Sequence, residues 1–234
     1  MILGGSFVMR KKLWFLLALL SLIVSVVFAS SAFAASAAAA KNAYNAAYKK
    51  VVSVVDGGLN TKEALDAMLA VDGDALPVYE RAHRAFLLGD LYYRIGDYDK
   101  CKEWTLKVLD TKELYDVPVT DSNKKTLYSH GLTAVVILAN AAAEFGKPED
   151  IDMIESRLTV KDFTTKVFIR YCWRSSPQNS LRTMLRFYKA LACKNAGDLE
   201  TMQEIINESS FRTGDIRVGN KWMALQRAAK LLTE

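Results

Sequence analysis

Histidine is nearly absent from the 234-residue chain, cysteine and proline are sparse, and glycine is uncommon: two, three, four and twelve residues respectively. So few cysteines exclude a disulfide-scaffolded small domain. The shortage of proline and glycine argues against an all-β sandwich dense in turns. No glycine-rich phosphate loop and no nucleophile elbow occurs. Neither His83 nor His130 has carboxylates or a second histidine at metal-ligand spacing. Asp72-Gly73-Asp74 begins like a calcium loop, but Leu76 and Pro77 follow where oxygen ligands are needed. The chain is 51% apolar, which excludes intrinsic disorder.

The longest apolar run lies near the start. Arg10, Lys11 and Lys12 precede Leu13 to Ala29, interrupted by Ser21 and Ser25, and Ala32-Phe33-Ala34 follows. A basic end, an apolar stretch and an A-x-A site together predict a secretory signal over residues 1–34, cleaved after Ala34. An uncleaved anchor is the other reading, and it would be the chain's one contact with a membrane. The formal charge of +5 then misleads. Residues 1–34 hold three basic and no acidic side chains, leaving 28 basic against 26 acidic residues, net +2. An exported, nearly neutral chain is no nucleic-acid binder. The expected location is periplasmic or secreted. Residues 35–42 read as an Ala-rich tether, and 43–234 as a helical-repeat domain.

Apolar residues recur at helical spacing through most of that domain. The spacing predicts about ten helices, broken by a polar connection from Thr111 to Lys125, and no stretch of alternating strand pattern is legible. Asn60, Pro77 and Asp97 stand where helices should start, and Gly96 where one should end. The expected fold class is all-α, either stacked helical hairpins in a right-handed α-solenoid or an irregular helical bundle.

Within it, Leu88-Gly89, Tyr92, Gly96-Asp97-Tyr98 and Cys101 resemble a tetratricopeptide repeat over about residues 82–115. Cys101 stands where that family usually has alanine. Ala85 and Thr105 depart from its aromatic positions, and no proline closes the repeat. The resemblance implies that Gly89 lets paired helices approach, that Gly96 ends the first helix, and that Tyr92 and Tyr98 fill the wedge between neighbours. Weaker echoes turn at Gly146 and Gly197, 50 and 51 residues on, whereas the family repeats at about 34.

Cys172, flanked by Arg170 and Arg174, is the most arguable nucleophile, since nearby positive charge lowers a thiol pKa. It lacks an identifiable base, and Cys101, Cys172 and Cys193 read as core thiols. A more conspicuous feature spans Phe163 to Ala196, which holds seven basic residues and no acidic one. Arg170 and Arg174, and likewise Arg182, Arg186 and Lys189, fall on common helix faces. They form a candidate anion- or peptide-binding surface, or else a solvated face paired with acids from neighbouring helices. The expected function is an exported, non-catalytic helical-repeat protein that binds a peptide or protein partner in the cell envelope, with no cofactor. A cell-envelope enzyme acting on peptidoglycan or lipid is the alternative.

Overall fold

The computed structural model describes residues 35–54, 60–167 and 179–234. Residues 1–34, where the signal is expected, lie outside them, as do Arg170, Cys172 and Arg174. Residues 35–54 form α1. Ten further helices follow among the described residues: α2 (Thr61–Leu69), α3 (Val78–Arg94), α4 (Tyr98–Leu109), α5 (Lys112–Tyr115), α6 (His130–Glu144), α7 (Pro148–Glu155), α8 (Val160–Thr164), α9 (Leu181–Ala196), α10 (Leu199–Asn207) and α11 (Leu225–Lys230). The stretch 35–42, expected as a tether, is already helical, and Ala40 is buried.

The fold is mostly helical, as expected, but it carries three two-stranded antiparallel pairs. These are β1 (Pro118–Thr120) with β2 (Thr126–Ser129), β3 (Lys166–Val167) with β4 (Asn179–Ser180), and β5 (Asp215–Val218) with β6 (Lys221–Ala224). Each strand is two to four residues long, too short to display a period of two. Helix α6 consequently starts at His130, after β2, where apolar periodicity alone places its start nearer Leu127.

Three helix pairs share one turn chemistry. The helices α3, α6 and α9 end at Gly96, Gly146 and Gly197, whose φ values are +85°, +62° and +86°. At each, the glycine N–H donates to the carbonyl three residues back and the next residue donates five back, the Schellman pattern. A Cβ at Gly96 would meet nothing within 4 Å, so the left-handed backbone alone asks for glycine there. Asp97 and Asp198 then cap α4 and α10, accepting from the N–H groups of Lys100 and Thr201.

The pairs α3–α4, α6–α7 and α9–α10 pack in succession, α6 against α3, α4 and α9. Fourteen of the fifteen residues of α6 are buried, which explains its alanines: small side chains let helices approach from several sides. Gly89 serves the same end between α3 and α4, since a Cβ there would stand 2.7 Å from the Thr105 methyl. Leu88 and Cys101 are fully buried beside it. Tyr92 is partly buried against the core. Tyr98 reaches the next hairpin, donating to Asp150 at 2.5 Å beside Lys102 at 2.6 Å.

Candidate functional site

The described part of the basic stretch lies on α9 and is engaged within the molecule. The Arg182 guanidinium sits 5.3 Å from the Phe163 ring centroid. Arg186 donates to the Glu208 carbonyl at 3.1 Å, at the carboxyl end of α10. Lys189 is ion-paired with Asp152 of α7. Burial pushes the nearby Glu155 carboxyl up, opposed by Lys189, Arg186 and Arg182. Acids of α7 thus face the basic side of α9. Cys101 and Cys193 are buried free thiols, and burial raises the pKa of both.

The chain's two histidines, 47 positions apart in sequence, meet in space. Tyr79, His83 and Phe86 lie at i, i+4 and i+7 on α3, one face of that helix. His130 begins α6, its N–H donating to the Val117 carbonyl at 2.8 Å. Gly131 brings this turn against α5, because any Cβ there would fall 2.1 Å from a Tyr115 ring carbon. The imidazole centroids are 5.7 Å apart. His130 stands 4.9 Å from the Tyr79 ring and 5.3 Å from Phe86, and His83 stands 4.7 Å from Phe86 and 5.2 Å from Tyr48 of α1. With Tyr44 of α1, 6.0 Å from His83, six rings from three helices therefore form one cluster.

The two imidazoles differ in their partners. His83 is hydrogen-bonded through Nδ1 to the Tyr44 hydroxyl. Tyr44 is itself 4% exposed, and burial pushes its phenol far above the usual range. His130 is 2% exposed, and neither of its ring nitrogens has a hydrogen-bond partner among the described residues. Burial lowers His83 to about 3, with His130 adding to the effect, and lowers His130 to about 4. Both rings are neutral at pH 7.

Beside them lies a cleft of about 230 Å³. Its walls are Tyr79, His83 and Phe86 of α3, Val119, Thr120 and Tyr128 of the β1–β2 hairpin, and His130 and Thr133 of α6. With both imidazoles neutral, the lining carries rings, hydroxyls and one aliphatic group, and no formal charge. Two larger surface clefts also have most of their polar groups engaged. In the one of about 350 Å³, Glu144 accepts from Tyr93, Lys194 donates to Leu231, and Asn140 donates to Gly219. In the one of about 470 Å³, Arg157 pairs with Asp110 and Lys112 with Asp116, although the Tyr115 hydroxyl is unpaired.

Periodicity placed His83 on an apolar stripe but carried no signal that His130 would join it. That pairing needs the β1–β2 hairpin, which brings the start of α6 back over α3. Sequence reasoning also missed Arg217 of β5. It is 2% exposed and pairs with Asp90 of α3 at 2.5 Å. Among the described residues no group of three or more histidine, cysteine or acidic side chains is placed to hold a metal ion. No protein-family model, no curated protein and no solved structure matches this chain.

Proposed function

We propose that the chain is an exported, non-catalytic binding protein of the cell envelope. In this reading TPR-like stacked hairpins form the scaffold, and the cleft between α3, α6 and the β1–β2 hairpin holds an uncharged part of a peptide or protein partner. One observation carries it: His130 is buried, lines the cleft and has both ring nitrogens unpaired among the described residues. Most buried polar groups in proteins are hydrogen-bonded, so an unpaired one beside a cleft calls for a partner from outside the described residues. At about 230 Å³ the cleft lies below the usual range for small-molecule sites, about 300–1,000 Å³. That suits a single anchoring side chain.

Export is supported by the basic, apolar and A-x-A segments of residues 1–34. The basic side of α9 contributes less to this reading, because its described members already have partners in the molecule.

Selection of random peptides on the immobilised protein tests the proposal. Thr120 is exposed on β1 at the cleft wall. Thr120→Trp should fill the cleft and abolish enrichment of the peptides that the parent selects. Unchanged enrichment in that variant places the binding surface elsewhere.

A further inference from the structure

We propose that the cleft recognises a phenol, the side chain of a tyrosine on the partner peptide, and that His130 reads its hydroxyl. This rests on the cleft being the binding pocket. The molecule holds an internal precedent. His83 and His130 are neighbours in one cluster of rings, and the first already holds a phenol, that of Tyr44 from α1. The second has the same ring and the same neutral state, with neither nitrogen satisfied. The described residues thus complete the pair at His83 and leave it incomplete at His130.

The chemistry of the walls narrows the ligand. A neutral imidazole offers one donor and one acceptor, and the Thr133 hydroxyl in the cleft wall can do both. A phenol can donate to the imidazole while accepting from a hydroxyl. Its ring meets Tyr79 and Phe86, which suits edge-to-face or offset contact. A carboxylate or ammonium would enter a lining without a counter-charge, at a desolvation cost nothing here offsets. A phenylalanine would fill the same space and leave His130 unpaired.

Access lies on the side of Tyr79. That ring is 47% exposed and is the nearest ring to His130, at 4.9 Å. An entering ring reaches the imidazole edge beside it. Tyrosine is also among the residues enriched where binding energy concentrates at interfaces.

The test compares N-acetyl-L-tyrosinamide with N-acetyl-L-phenylalaninamide. Each is titrated into the purified protein and followed through the two histidine side-chain resonances by NMR. The tyrosine compound should bind about tenfold more tightly or better, the scale of one hydrogen bond to a buried group otherwise left unpaired. His130→Phe, which keeps a ring and removes both nitrogens, should equalise the two affinities. Equal binding to the parent protein overturns the phenol assignment while leaving the cleft a binding pocket. Binding of neither compound overturns both. Discrimination that persists in His130→Phe shows that another group reads the hydroxyl. The parent comparison decides the phenol question without any variant, so poor folding of His130→Phe would not shelter the proposal.

Discussion

At the residue scale, the histidine pair costs the protein stability in acid. Both imidazoles sit below their ordinary value of 6.5 in the folded chain, at about 3 for His83 and about 4 for His130. The unfolded chain takes up these protons first as pH falls, so the native state loses ground from about pH 6.5 downward. Each pKa unit corresponds to about 1.36 kcal/mol, so the pair contributes a penalty of several kcal/mol once the pH falls below both native values. The rings around them are those of tyrosines 44, 48 and 79 and Phe86, and among the described residues no carboxylate contributes to the shift of either ring. Thermal melts between pH 7 and pH 4 should show a falling midpoint, and His130→Phe should flatten part of that slope. An identical slope in the variant would mean that His130 does not titrate as its burial requires.

At the element scale, the β5–β6 hairpin is held by a buried charge. Arg217 pairs with Asp90, which also accepts from Arg94 at 2.7 Å. The Arg217 guanidinium lies 5.4 Å from the Tyr93 ring centroid and donates to the Gly219 carbonyl at 3.0 Å. Tyr188 of α9 donates to the Arg217 carbonyl at 2.8 Å, and Asn140 of α6 to the Gly219 carbonyl at 3.1 Å. One hairpin is thereby tied to the first, second and third helix pairs. Removing one member of such a buried pair strands the other, at about 3–5 kcal/mol. Chemical denaturation of Asp90→Ala should show a loss of that order. Asp90→Leu combined with Arg217→Met should recover part of it, because the buried Arg217 charge goes with its partner while Arg94 still loses its contact with Asp90. A double variant as unstable as the single one would show that the hydrogen bonds around Arg217, rather than its charge balance, hold the hairpin.

At the scale of the whole molecule, the helix pairs are joined by repeated local chemistry but differ in their surroundings. Gly96 has open space where a Cβ would go, whereas at Gly146 a Cβ would stand 3.1 Å from the Ala196 backbone nitrogen. The second turn is therefore pressed against the end of α9, and Asn195 donates to the Ala143 carbonyl there at 2.8 Å. The expectation of export also belongs to this scale. N-terminal sequencing of the protein recovered outside the cytoplasm should begin at Ala35, and a sequence starting at Met1 or Met9 would remove the argument for cleavage.

The helices and their ends were largely legible because they depend on near neighbours. Asn60 accepts from the Lys62 N–H, Asp97 caps α4, and glycine ends α3, all through contacts within five residues. The close approach at Gly89 and the buried place of Cys101 followed from the same local pattern. The short strands left no trace, since two to four residues cannot display a period, and they decide where α6 begins. Long-range charge was equally hidden. Lys189 and Arg186 could be read either as a binding face or as a face paired with neighbouring helices, and only the positions of α7 and α10 supplied the partners, Asp152 and a helix carboxyl end. The sequence by itself determined the helical class, the turns and the apolar stripe that bears His83, because short-range sterics and hydrogen bonding govern them. Only the tertiary structure decided that His83 meets His130 and that Arg217 meets Asp90. Those pairings join residues 47 and 127 positions apart, and no periodicity along one helix encodes which distant face will cover it.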